Sequence, residues 1–303
     1  MTTSPANVAL LESWQLSLHG KAPRTVVFYL AEAHRFAAWL SENGRPATDH
    51  GDLVAVERRD VESWLTALKA AGRSQSTVRS RWVALRSLYG WALVEGEIDA
   101  NPLERVVVAK GNAPAPNVLG DDELRLLLKA CAGADFYARR DLALVRLMLA
   151  TGLRVSETID LAVGDLDLMN RIVSVRHGKG DKARVVRFDA ATASALDRYK
   201  RVRARHRFAG LPWLWIGYRG RTTRKGVPTL LASRSAAAGI GHVHPHQLRH
   251  TWADRWLRAG GTEGDLQRLG GWESAEIMRR YGESRAVDRA LSAYDAINPM
   301  GQL

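Results

Sequence analysis

A chain of 303 residues with 46% hydrophobic and 25% charged side chains is long enough for two ordinary domains, each burying its own core. No apolar run reaches the roughly 18 to 20 residues that span a bilayer, and MTTSPANVALLESW lacks the basic-then-apolar pattern of a secretory signal, so membrane insertion is excluded and a cytoplasmic setting is expected. The net charge of +12 arises beyond residue 108: residues 1–108 carry 12 Lys+Arg against 12 Asp+Glu, whereas 176–234 hold 16 basic side chains against 3 acidic ones, which points to a polyanionic partner, with a solvated basic surface as the alternative.

The N-terminal third has helical periodicity. In TVVFYLAEAHRFAAWL, the apolar residues Val26, Tyr29, Leu30, Ala33, Phe36, Ala37 and Leu40 recur at spacings of three and four, and Asn43-Gly44 ends the run. Asp60 is placed to cap VESWLTALKA, which stops at Gly72. Ser76 or Thr77 is placed to cap TVRSRWVALRSLYGWALVEG. On that helix Val78, Trp82, Leu85, Tyr89 and Ala92 share one face, and Arg79 and Arg86 share another. A bundle of four or five helices is expected over 1–108. The stretch VVVAKGNAPAPNV then reads as an extended linker centred on 109–117.

The second domain, 118–303, opens with two helical segments, GDDELRLLLKACAG and RRDLALVRLMLATGL. The one cysteine, Cys131, is expected to be a buried structural thiol, and no intrachain disulfide is available to it. RIVSVRHGKGDKARVVRF contains β-branched runs at 172–175 and 185–188 around a loop of Gly, Lys and Asp, the pattern of a long-looped hairpin. A third strand is not determined by pattern, and WLWIG at 213–217 is one option. From 245 onward helices return, broken at Gly260-Gly261 and Gly270-Gly271. The fold class expected is mainly α: an N-terminal helical bundle, then a mostly helical domain with a small antiparallel sheet.

The stretch HPHQLRHTW, 244–252, places three histidines and an arginine in nine positions. On a helix starting near Pro245, His246, Arg249 and His250 project from one side. Three readings are open. HxxxH spacing suits a zinc ion, but Gln247 stands where a zinc hydrolase carries its glutamate base, and Arg249 adds positive charge beside the metal. Helix capping and surface contacts are the plain alternative. The third reading is a phosphate site, in which a guanidinium forks onto nonbridging oxygens while an imidazole moves protons.

Company elsewhere in the chain favours phosphate. ATGLRVSE (150–157), the GKG of HGKGDKARVV, HPHQLRHTW and LGGWESAEIMRRYG (269–282) occur in the order and at the spacing of the motifs of tyrosine recombinases, the phage integrase family. STVRSRWVALRSLYGWALVEGEIDANPLERV also resembles that family's core-DNA-binding domain. The resemblance spans nearly the whole chain, and four motifs in order are far more specific than any one.

The resemblance implies a site-specific recombinase that breaks DNA without a metal or nucleotide cofactor, through a 3′-phosphotyrosyl link. By it, Tyr281 is the nucleophile, His246 the acceptor of its proton, and Arg154 and Arg249 the clamp on the nonbridging oxygens. Lys179, between two glycines, would protonate the departing 5′ oxygen. Trp272 stands where many members have histidine, and its indole can donate a hydrogen bond but cannot shuttle a proton. Glu157 matches a supporting acidic position that orients catalytic groups. Thr77, Arg79, Arg81 and Arg86 are candidate DNA contacts in the first domain. The expected partners are double-stranded DNA at short core sites, a homotetramer built from two dimers, and an accessory DNA-bending or directionality protein. A short helix after Tyr281 is expected to dock on a neighbouring protomer. The type expected has two domains and no additional arm-site-binding domain, acting near the nucleoid. It reads as an integrase of a phage or mobile element, with a Xer-like dimer-resolving recombinase or a type IB topoisomerase as alternatives.

Overall fold

The computed structural model describes residues 4–43, 51–111, 117–176 and 183–272, with Leu291, Tyr294 and Gly301 beyond them. The chain divides into two compact units, Met1–Ala113 and Pro114–Leu303.

Four α-helices form the first unit among the described residues: α1 (Pro5–Ser17), α2 (Pro23–Asn43), α3 (Arg58–Ala70) and α4 (Gln75–Val94). Ser4 and Pro5 start α1 as a side-chain cap followed by a residue with no amide proton to satisfy. The caps of α3 and α4 lie earlier than the sequence predicts. Glu57 precedes α3, and Asp60, already in its first turn, accepts from the Glu57 amide at 2.9 Å. Ser74, rather than Ser76 or Thr77, accepts from the Thr77 amide at 3.3 Å. A capping oxygen serves an amide two or three residues on, so the cap stands before the first polar residue of the helical run rather than inside it. The predicted apolar face of α4 is buried throughout, from Val78 to Ala92, against Trp14, Phe36, Leu40 and Trp64. Each of the larger side chains among them contributes roughly 2 kcal/mol of burial free energy. Asn7 ties the chain between α2 and α3 to this core, donating to the Gly51 carbonyl at 2.7 Å and accepting from the Leu53 amide at 3.1 Å.

The second unit holds seven α-helices and two small sheets among the described residues. Its helices are α5 (Asp121–Cys131), α6 (Phe136–Thr151), α7 (Val155–Asp160), α8 (Ala190–Arg203), α9 (Gly226–Ala237), α10 (Pro245–Arg258) and α11 (Glu263–Gly270). Three strands, β1 (Leu166–Asp167), β2 (Ile172–Val175) and β3 (Arg184–Arg187), form an antiparallel sheet in that order, and β4 (Ile216–Gly217) and β5 (Gly220–Arg221) pair separately. The third strand is therefore 166–167, and WLWIG supplies a hairpin of its own. Helices α8 and α9, which the sequence analysis does not resolve, complete the mainly helical fold.

α6 runs through the middle of this unit, packed against α5, α8 and α10. Its Leu144, Leu147 and Met148 bury with Val173, Leu196, Tyr199, Trp215 and Leu248. Burial also pushes the Cys131 thiol up to about 12, so it is a core side chain with no thiolate at neutral pH. Among the described residues, no helix is long and apolar enough to cross a membrane.

Candidate active site

α6 ends at Gly152, whose φ of +61° is the left-handed conformation that glycine adopts without a Cβ penalty. The turn reverses the chain, so that Arg154 caps α7 and aims its side chain toward the end of α11. Arg154 Nη1 donates to Glu157 Oε1 at 2.8 Å, and Nη2 donates to the Gly271 carbonyl at 2.6 Å. Glu157 Oε2 accepts from the Arg154 amide at 2.8 Å.

Arg249 approaches from α10 and is only 2% exposed. It donates to the carbonyls of Gly152 and Gly270, each at 2.5 Å, and its guanidinium carbon lies 3.9 Å from the centre of the Trp272 ring. Trp272 in turn stacks on Trp252 of α10 at 5.9 Å between centroids. Its indole thus forms one wall of the Arg249 pocket, a packing role that the sequence does not reveal.

His246 stands one turn before Arg249 and is exposed, and its ring meets that of His250 edge-on at 4.1 Å. Desolvation, followed by the charges of Arg249 and Arg154, holds its pKa below the ordinary histidine value, which favours the neutral ring that can accept a proton. The cluster is thus shared out: His244 occupies the cap position of α10 with Pro245 as first residue, Arg249 turns inward, and His246 remains outside. Among the described residues, no three His, Cys, Asp or Glu side chains gather as ligands for a metal ion.

Arg184, a residue the sequence reading does not single out, joins this group. It donates from Nη1 and Nη2 to Glu157 at 3.0 and 2.8 Å, and from Nε to the Leu269 carbonyl at 2.8 Å. Three successive carbonyls at the end of α11, those of Leu269, Gly270 and Gly271, therefore accept from Arg184, Arg249 and Arg154 respectively. The signal was present in the strand alternation, because Arg184 lies two before buried Val186 and so on the inward face of β3. For Glu157, burial raises the pKa, but the hydrogen bonds from Arg184 and the Arg154 amide, with both guanidinium charges, outweigh it and hold the carboxyl below its usual range. Lys179 and Tyr281 lie outside the described residues, as does nearly all of the segment after Tyr281.

The candidate DNA contacts of the first unit have structural partners. Arg81 pairs with the buried Glu32 at 3.2 Å, and Arg79 donates to the Val108 carbonyl at 2.5 Å. Thr77 shares a hydrogen bond with Ser74, and Arg86 is exposed beside the Trp82 ring. In the basic stretch 176–234, Arg203 is buried and donates to the carbonyls of Ala209, Leu211, Trp213 and Leu214, while Arg221 and Arg224 pair with Asp160. Part of the basic excess is thus structural.

The Phage integrase family matches residues 117–287, and the phage integrase N-terminal SAM-like domain matches 12–96. The chain belongs to the phage integrase family of tyrosine recombinases. It is a site-specific tyrosine recombinase. This recombinase is similar to tyrosine recombinase XerC of Mycobacterium tuberculosis, with 32% identity across 92% of this chain and 94% of the relative. It is likewise similar to XerC of Corynebacterium efficiens, with 30% identity across 92% of this chain and 87% of the relative. Its fold matches that of the Tn1549 transposon integrase in complex with transposon right end DNA, with a TM-score of 0.76, 18% identity and coverage of 95% and 99%. It also matches XerA recombinase, with a TM-score of 0.53, 24% identity and coverage of 95% and 98%. These likenesses show the mainly helical recombinase fold. The XerC relatives favour the Xer-like alternative over the phage or mobile-element integrase first expected from the sequence.

Proposed function

We propose that this recombinase is a Xer-like, dimer-resolving enzyme that acts on short core sites in duplex DNA through a transient 3′-phosphotyrosyl link. The Xer-like role rests on the XerC relatives, and the chemistry rests on one observation above all: two guanidiniums from separate elements, Arg154 and Arg249, converge on the neighbouring carbonyls of Gly271 and Gly270. Two planar forks so placed fit the nonbridging oxygens of one phosphate.

In the proposed reaction the Tyr281 oxygen attacks phosphorus, its proton passes to His246, and the bond to the 5′ oxygen breaks. Lys179 protonates that oxygen. The phosphodiester energy is kept in the tyrosyl ester, and a partner strand's 5′ hydroxyl later reverses the step, so no external energy source is consumed. Arg154 and Arg249 stabilise the charge that develops on the pentacoordinate phosphorus. Trp272 holds Arg249 against its ring. Pairing of two sites by a tetramer of two dimers, with or without an accessory DNA-bending protein, belongs to the same proposal. So do a linker at 109–117 between domains 1–108 and 118–303, and first-domain contacts led by the exposed Arg86.

The test incubates the protein with fragmented chromosomal DNA in EDTA and stops the reaction with SDS. Protein-linked fragments that Tyr281→Phe binds but fails to link are the expected result. Fragments mapping to one chromosomal locus support the Xer-like role, whereas fragments mapping to the ends of a phage or mobile element return the integrase reading. Linkage that appears only with added zinc refutes the chemistry.

A further inference from the structure

The Glu157 carboxylate is 5% exposed and fully subscribed. Oε1 accepts from Arg154 Nη1 and Arg184 Nη1, and Oε2 accepts from the Arg154 amide and Arg184 Nη2. Four donors occupy the roughly four lone-pair sites that a carboxylate offers. Arg184 supplies half of them, while its Nε holds the Leu269 carbonyl beside the two carbonyls that hold the clamp arginines. It also packs so closely that a Cβ on Gly271 would stand 3.1 Å from Nη1.

We propose that Arg184 is a positioning residue for strand cleavage: it locks Glu157 to the end of α11 and thereby sets the angle at which Arg154 meets the phosphate. The proposal rests on reading Arg154 as a phosphate clamp. Its geometry leaves few substitutes. Arg184 pairs with Val175 in the last register position before the hairpin loop, so its Cα is fixed by the sheet. A single side chain from that point spans α7 and α11, and one cation bridges a carboxylate and a helix end that carries partial negative charge. Without it, Glu157 keeps only the Arg154 donors. The carboxylate and the Arg154 side chain are then free to rotate together away from Gly271.

The charged groups around Glu157 are Arg154 from the α6–α7 turn, Arg184 from β3, and Asp160 of α7. Asp160, paired with Arg221 and Arg224, and Asp165, paired with Arg176 at 2.5 Å, line one cavity with Glu157. Removing Arg184 withdraws the first hydrogen-bonding cation and leaves burial opposed by Arg154 alone, so the Glu157 pKa rises.

The experiment measures single-turnover cleavage of a DNA site, with affinity and pH dependence, in wild type, Arg184→Met and Arg184→Lys. Arg184→Met should slow cleavage by roughly 100-fold, the scale of a small misplacement of a catalytic group, and leave DNA affinity within about 3-fold. Its acid limb should move to higher pH, and Glu157→Gln in the Arg184→Met background should return that limb to its wild-type position, which separates it from His246. Arg184→Lys keeps the charge but not the three-way fork, so the limb should stay while the rate falls by roughly 10-fold. If Arg184→Met does not melt cooperatively, Arg184→Lys decides alone: a wild-type rate overturns the positioning role. Unchanged rate and pH profile in Arg184→Met overturn it as well. Absence of a Tyr281-dependent link in the wild type would instead defeat the recombinase chemistry on which the proposal rests.

Discussion

Gly152→Ala isolates one point where backbone shape and site geometry meet. The residue lies at φ +61°, so alanine incurs about 1 to 2 kcal/mol for the left-handed conformation. A Cβ there would also stand 2.0 Å from Trp252 Cε3, 2.4 Å from Cδ2 and 2.6 Å from Cζ3. That ring cannot withdraw freely, because it is buried and stacked on Trp272, which in turn covers the Arg249 guanidinium. Overpacking of this kind costs about 1 to 3 kcal/mol, so the total is roughly 2 to 5 kcal/mol. For a domain of this size, that lowers the melting temperature by about 5 to 15 °C. The same shift displaces the Gly152 carbonyl that holds Arg249 and the turn that carries Arg154, so cleavage should fall beyond what lost stability explains. Thermal unfolding by circular dichroism and single-turnover cleavage well below the midpoint measure the two effects. Trp252→Leu in the Gly152→Ala background should recover part of the stability by opening space for the methyl. A Gly152→Ala protein that melts within about 1 °C of wild type and cleaves normally would refute both the backbone and the contact arguments.

Arg249→Ala should lower the cleavage rate by at least about 100-fold, corresponding to roughly 3 kcal/mol of transition-state stabilisation, and a rate within threefold of wild type counts against the clamp. The pH profile follows from His246: its pKa is held below the ordinary value, so the ring is neutral at pH 7 and cleavage should persist on acidification until the pH passes below the usual histidine range. In His246→Gln that acid limb should disappear together with most of the rate, and an unchanged limb would assign the titration elsewhere. Arg81→Ala should destabilise the first unit by about 2 to 3 kcal/mol, because Glu32 is 1% exposed and, among the described residues, would keep Arg35 alone as its partner. A loss of DNA affinity with unchanged stability would assign Arg81 to DNA contact rather than to the support of Glu32.

Features local to the chain were legible in its sequence, and features made by distant contacts were not. Helix periodicity placed the apolar faces of α2 and α4, because each face buries as a stripe that the 3.6-residue repeat makes visible. The caps shifted by two or three residues, since Ser74, Ser76 and Thr77 all carry capping hydroxyls and only the geometry of the first turn chooses among them. The strands at 172–175 and near 185–188 were legible from β-branched runs. Their partner at 166–167 was not, because two residues carry no alternation to read.

By itself, the sequence determined a chain of two largely helical parts, a basic second half, and four ordered motifs whose residue types suit phosphoryl transfer. These depend on identity and spacing along the chain. Only the tertiary structure decided that Arg154, Arg184 and Arg249, up to 95 positions apart, meet on three consecutive carbonyls at the C-terminal end of α11, that Trp272 packs on Arg249, and that Arg81 serves a buried glutamate. The physical reason is that hydrogen-bond partners of buried charges are chosen by proximity in the folded state, where desolvation makes an unpaired guanidinium or carboxylate costly, and that proximity has no trace in local sequence pattern.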